Sequence, residues 1–139
     1  MEIKIYYTLP AEARQIRETV FVEEQRFQEE FDETDRRALH LVLYEEGEAA
    51  GTCRVFEGPD PGEYLAGRIA VLKPFRGRKF GSFLLEAAED QVRKAGGTKI
   101  RLHAQQRAAA FYEKQGYTAS GTVEYEEYCP HIWMWKNLS

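Results

Sequence analysis

The sequence has few cysteines, no long apolar run and a shortage of positive charge, and each lack excludes something. Cys53 and Cys129 are the two cysteines in 139 residues. Two thiols without a secretory leader point to free cysteines in a reducing compartment, and so to a cytoplasmic protein. No apolar run approaches the roughly 18 residues that cross a bilayer. The opening residues, Met-Glu-Ile-Lys-Ile-Tyr-Tyr, alternate and lack the apolar block of a signal peptide, so no membrane partner is expected. Lys and Arg number 19 against 23 Asp and Glu, a net charge of −4. A general nucleic-acid binder carries a basic excess, so no nucleic-acid partner is expected either. There is no repeat, low-complexity tract or interdomain linker.

What is present suits one folded domain over residues 1–139. Apolar residues make up 43% of the chain and aromatics 13%, well inside the range of globular proteins. A chain of this length buries about two-thirds of its unfolded surface, so it needs neither disulfide nor metal to fold.

The patterning predicts a mixed α/β chain. Ile3, Ile5 and Tyr7 alternate as a half-buried strand. Pro10 and a Thr8 cap predict a helix start, and Ala13, Ile16, Val20 and Phe21 carry an amphipathic helix over roughly 10–24. The acidic run 29–33 reads as a solvated loop. Residues 38–44 are apolar without interruption, a strand covered on both faces. Glu46-Gly47 turns it into a second arm over 49–56, and 64–71 forms a further strand. A helix follows 73–82, with Phe83, Leu84, Ala87, Ala88 and Val92 inward, and Gly96-Gly97 ends it. Then come a strand at 99–104, a short helix at 107–115, and strands at 122–125 and 132–135. Ile132 and Met134 point one way and Trp133 and Trp135 the other, the mark of an interior strand. The order implies a mixed sheet with helices on its faces, of the α/β or α+β class.

The segment 73–81 holds Lys73, Arg76, Arg78 and Lys79 and no acidic residue. It joins a strand to a helix start, where free backbone N–H groups and a positive dipole end suit phosphate. Gly77 and Gly81 allow a backbone to approach a ligand, and Ser82 adds a hydroxyl. The Walker and dinucleotide-binding glycine patterns are both absent, which disfavours a nucleoside-triphosphate hydrolase and a nicotinamide enzyme. A basic loop that merely caps a helix is the bland alternative.

Val71-Leu72-Lys73-Pro74-Phe75-Arg76-Gly77-Arg78-Lys79-Phe80-Gly81 resembles the acetyl-coenzyme A loop of the GNAT superfamily of N-acetyltransferases, Arg or Gln, two residues, Gly, one residue, Gly or Ala. Arg76 and Gly81 match its ends. Lys79 stands where a glycine is often found, and a helix-like backbone is expected there, since positive φ strains lysine. Ala104 to Tyr117 resembles the family's later helix with its Phe-Tyr pair, and Pro130-His131-Ile132-Trp133-Met134 resembles a small-molecule subgroup. The likeness runs across roughly 36–138.

The resemblance implies a mostly antiparallel sheet with two splayed parallel strands, 64–71 and 98–104. It implies acetyl-CoA as co-substrate, with Ile69, Ala70 and Val71 on its pantetheine arm. Residues Arg76, Gly77, Arg78, Lys79, Phe80, Gly81 and Ser82 would hold its pyrophosphate, with Gln105 and Phe111 as further contacts. Tyr112 is implied as general acid; sulfur contact or core packing are its other readings. The candidates for removing the amine proton are His131, His103, Glu23 and Glu24, with His131 favoured and Glu23, Glu24 and His131 on the acceptor side. The acceptor implied is the primary amine of a small molecule, attacked directly in a ternary complex. The sequence leaves monomer and homodimer open. His40 reads as structural, and His103 has no clear role. A Cys53 nucleophile lacks any sign of activation. No metal is expected, because Cys53, Cys129, His103 and His131 lack ligand-pair spacing beyond Cys129-Pro-His131. A non-catalytic acetyl-CoA sensor on the same fold is the competing reading.

Overall fold

The computed structural model describes residues 1–138. Seven strands form one sheet: β1 (Glu2–Tyr6), β2 (Leu39–Glu45), β3 (Glu48–Glu57), β4 (Glu63–Val71), β5 (Lys99–Gln105), β6 (Thr118–Glu126) and β7 (Cys129–Asn137). The spatial order is β1-β2-β3-β4-β5-β7-β6. Every neighbouring pair is antiparallel except β4 with β5. Three α-helices flank the sheet: α1 (Ala11–Arg17), α2 (Phe80–Lys94) and α3 (Ala109–Lys114).

Alternation in β2 divides the core between two faces. Leu41 and Leu43 enter one cluster with Leu84, Leu85, Ala88 and Val92 of α2, whereas Val42 joins Ala13, Ile16, Val20 and Phe21 on the other side. All three β2 side chains are fully buried, each worth about 1.5–3 kcal/mol relative to exposure. Helix α2 sits close to the sheet because residue 51 is glycine. A Cβ there would lie 2.9 Å from Leu84 Cδ1 and 3.0 Å from the Ala70 carbonyl. As its two apolar faces require, β7 is interior, between β5 and β6.

Two local expectations fail, and the first helix, helical to Glu24 as expected, changes its winding on the way. Thr8 does not cap α1: Pro10 occupies the cap position and no side chain caps the helix. The first helix widens from Glu18 to Glu24 into a π-helix, which still buries Val20 and Phe21. The acidic run 29–33 is not a solvated loop, because arginines from three elements converge on it. Arg17 Nε donates to Glu30 Oε2 at 2.9 Å and its Nη1 to Asp35 Oδ1 at 2.8 Å. Arg54 Nη1 donates to Asp32 Oδ1 at 2.6 Å and to Asp35 Oδ1 at 2.9 Å, and Arg68 Nε lies 3.0 Å from Glu30 Oε2. Glu30 is 5% exposed, so this network fixes the loop against the sheet. His40 belongs to the same structure, its Nε2 donating to the Asp35 carbonyl at 2.9 Å.

The parallel pair is the feature that makes a site. Glu63, Tyr64 and Leu65 pair with Lys99, Ile100 and Arg101, and there the pairing ends. A register shift in the β3–β4 ladder between Thr52 and Arg54, with Arg68 at φ +52°, turns the rest of β4 away. The two strands then diverge along 66–71 and 102–105.

Candidate active site

Downstream of β4, Lys73–Phe75 makes one 3-10 turn and the chain enters α2 at Phe80. Gly77 takes φ +80° and Lys79 φ +64°. The left-handed Lys79 departs from the helix-like backbone expected of it; the bend into α2 needs that conformation, whichever residue stands there. The turn aims a series of amides outward. None of the N–H groups of Gly77, Arg78, Lys79, Phe80, Gly81 and Ser82 meets an acceptor among the described residues. Successive free amides at a helix start form a concave anion site. The buried Phe80 ring anchors this turn in the core.

The two arginines around it are already paired. Arg76 bonds Glu24 and the Val71 carbonyl, and Arg78 Nη2 bonds Glu45 Oε2 at 2.6 Å. Lys73 and Lys79 are exposed. Ser82 Oγ accepts from Gln115 Nε2 at 3.0 Å, and Phe111 lies 3.5 Å from where a Gly81 Cβ would stand. Together these contacts fasten the end of α3 to the start of α2.

Between the diverging strands lies a cleft of about 700 Å³. Ile69 lines it. Ala70 is buried with the α1 cluster, and Val71 pairs with Gly51 of β3. Gln105 lines the cleft too, donating to Gln25 Oε1 and accepting from Arg107 Nε, both at 2.8 Å. Tyr112 forms part of the wall with its ring edge-on to Phe111. Its hydroxyl has no hydrogen-bond partner among the described residues, and burial, reinforced by Cys53, pushes the phenol above its ordinary value. Burial also pushes the Cys53 thiol up to about 12. A thiol so far from ionising is no nucleophile at neutral pH.

His131 is buried at the opposite wall, as the strand pattern allows. Its Nδ1 lies 2.9 Å from the Cys129 carbonyl, and only a protonated nitrogen can bond a carbonyl. Nε2 therefore carries the lone pair in the neutral ring. Two neighbours whose roles the sequence left open adjoin it. His103 stacks on Trp133 at 4.5 Å and donates from Nδ1 to Glu126, whose carboxylate faces both imidazoles. The signal was the pairing of β5 and β6 with β7, which the sequence does not display. The acceptor-side expectation for Glu23 and Glu24 is corrected: neither lines the cleft. Glu23 is exposed, and Glu24 is bonded through both carboxylate oxygens to Arg76. The carboxylates that do line the cleft include Glu29, Glu126 and Glu127.

An open strand edge thus leads from an amide cradle to a cleft with ionisable walls. The model of the Acetyltransferase (GNAT) family matches residues 5–117, and the chain belongs to that family. The Bacillus subtilis protein YyaT is 36% identical over 133 residues, covering 92% of this chain and 88% of its own. A crystal structure described as that of an N-acetyltransferase from Lactobacillus plantarum superposes with a TM-score of 0.88 at 31% identity, over 100% of both chains. The fold alone is shared with an aminoglycoside 6'-N-acetyltransferase complexed with coenzyme A, at a TM-score of 0.79 and 17% identity, over 100% of this chain and 98% of that one. The protein is thus an acyltransferase of the GNAT type, built for an acyl-CoA donor.

Proposed function

We propose that residues 1–139 act as one N-acetyltransferase domain, moving an acetyl group from acetyl-CoA to the primary amine of a small molecule by direct attack in a ternary complex. The observation that carries this reading is the row of unpartnered amides from Gly77 to Ser82, opening where β4 leaves β5. A diphosphate offers acceptors for those amides and the charge that a helix start favours. Arg76 and Arg78 stand beside them, each able to exchange its carboxylate partner, Glu24 or the half-buried Glu45, for a phosphate. Ile69, Ala70 and Val71 would carry the pantetheine arm along the free edge of β4, with Gln105 and Phe111 as further contacts.

Acetyl-CoA would supply an acyl group activated as a thioester. His131 would take the proton of the attacking nitrogen at Nε2, since Nδ1 is already a donor to Cys129. Tyr112 would hold its proton throughout the neutral range and offer it to the departing sulfur. The carboxylates of Glu29, Glu126 and Glu127 favour a cationic acceptor.

The test is turnover. The protein is mixed with acetyl-CoA and a panel of primary amines, and free thiol and N-acetyl product are measured together. Both should appear with at least one amine. Tight coenzyme binding without thiol release from any amine would favour a sensor, and no coenzyme binding would remove both readings.

A further inference from the structure

His131 is largely buried and meets solvent only through the cleft it lines. Its side chain is 7% exposed, and its free nitrogen, Nε2, lies 3.9 Å from Oε2 of Glu126. That same oxygen accepts the hydrogen bond from His103 Nδ1. Glu126, by contrast, is 42% exposed at the edge strand. The three groups therefore form a path from a buried imidazole to the surface, with a second imidazole holding the carboxylate at its middle.

The sheet register sets this arrangement. On β7, His131 stands opposite Gln105 of β5 and Glu124 of β6, while Trp133 stands opposite His103. His103 is thereby stacked on Trp133 at an interplanar angle of 20°, its ring centre 5.0 Å from that of His131. Glu124 is the other carboxylate nearby. It approaches the far nitrogen of His103, at 3.6 Å, and is 58% exposed. The charged and titratable groups facing His131 are thus His103 from β5 and Glu124 and Glu126 from β6, while Glu127 in the turn is held by the amides of Gln28 and Glu29. Arg107, Glu29 and Tyr112 share the same cleft, and Cys129 adjoins His131 on β7.

We propose that Glu126 is the proton outlet of His131 and that His103 is its positioning residue. The proposal rests on reading the cleft as the acceptor site. The attacking nitrogen gives a proton to Nε2 of His131, leaving an imidazolium with N–H bonds at both nitrogens. The carboxylate of Glu126 accepts the Nε2 proton and releases it to water, which restores the neutral ring and the carboxylate. For an ammonium acceptor, two protons leave nitrogen: one restores the phenol of Tyr112 after it protonates the departing sulfur, the other ends in water. Glu126 carries the second, and no electrons change hands.

Single substitutions test it. Glu126 lies on the exposed edge strand, so E126Q and E126A should keep the wild-type melting temperature. E126Q should lower kcat about 100-fold with the coenzyme KM unchanged, and added formate should restore much of the activity of E126A. H103A should lower kcat, and H103N, which keeps a donor near the Nδ1 position, should recover most of it. Wild-type kcat in E126Q, no rescue by formate, or equal loss in H103A and H103N would each overturn the proposal. Ring 15N spectra of the free protein need no turnover. They should show His131 protonated at Nδ1 and bare at Nε2, and the opposite tautomer would overturn the proposal even if amine transfer is confirmed. Wild-type protein that releases no thiol with any amine would instead count against the transferase reading, leaving the spectra to judge the relay.

Discussion

Arg76 and Glu24 form a two-point contact, with Nη2 of the arginine 3.0 Å from each carboxylate oxygen. Arg76 Nε also donates to the Val71 carbonyl at 2.8 Å. The contact ties the loop before α2 to the π-helical end of the first helix. Both side chains are more than a third exposed, or close to it, at 42% and 34%, so such a pair contributes only about 0–1 kcal/mol. A bound phosphate can replace Glu24 at little cost.

The first prediction follows from that exchange. Replacing both Arg76 and Arg78 with alanine should raise the KM for acetyl-CoA about tenfold, since charge-assisted bonds to phosphate are worth roughly 1.5–3 kcal/mol each before the lost ion pairs are subtracted. E24Q, which frees Arg76, should leave the KM equal or lower it. Steady-state kinetics at varied coenzyme concentration decides, and an unchanged KM in the double variant would remove the arginines from the phosphate site.

Tyr112 can act only as a neutral donor, because burial raises its phenol. Y112F should therefore lower kcat by about 10- to 100-fold while the coenzyme KM holds. Equal kcat in the variant would make Tyr112 a packing residue of the cleft wall.

Lys79 carries a conformational prediction. At φ +64° a non-glycine residue bears strain of about 1–2 kcal/mol, and glycine would relieve it at an entropic cost of about 0.4–1 kcal/mol. K79G should fold normally and bind the coenzyme. K79P locks φ near −65° and removes an amide from the row, so its coenzyme affinity should fall at least tenfold. Titration calorimetry compares the two, and tight binding by K79P would contradict the cradle.

The buried network predicts acid sensitivity. Burial alone would raise Asp35, but hydrogen bonds and charges from Arg17 and Arg54 outweigh it and hold the carboxyl well below its ordinary range. Asp32 is lowered as well, burial again opposing and Arg54 prevailing. A depressed folded value means stability that is complete above the unfolded value, near pH 4, and lost as pH falls through the folded one. Glu30 goes the other way: burial raises it, partly offset by Arg68 and Arg17, so its protonation relieves some strain. The large depression at Asp35 dominates, and the melting temperature should drop as pH falls below about 4. D35N removes the charge that Arg17 and Arg54 share, leaving them Glu30 and Asp32; it should cost about 1–3 kcal/mol at pH 7 and should flatten that acid dependence. An acid profile identical to wild type would refute the network's role.

The elements with strong periodicity were legible in the sequence. Leu84, Ala88 and Val92 marked α2, and Ile132 to Trp135 marked an interior strand, because side-chain spacing alone states which face is buried. The loop before α2 stood out as chemistry, through four cations at a helix start. Lys79 was misread because local steric preference argued against a left-handed lysine, whereas the chain direction into α2 imposes it. Glu30 and Asp32 were misread because a charge run carries no sign of the distant arginines that neutralise it. His103 and Glu126 went unassigned for a related reason: only the register of β5, β7 and β6 brings them to His131.

The most direct test of the account is the backbone at Gly77 to Ser82 in the presence of the donor. Amide 1H–15N spectra recorded with and without acetyl-CoA should show these six resonances moving downfield at saturation, with pyrophosphate oxygens within hydrogen-bond distance of them in a co-crystal. Resonances that stay in place while the coenzyme binds elsewhere, or does not bind, would contradict it.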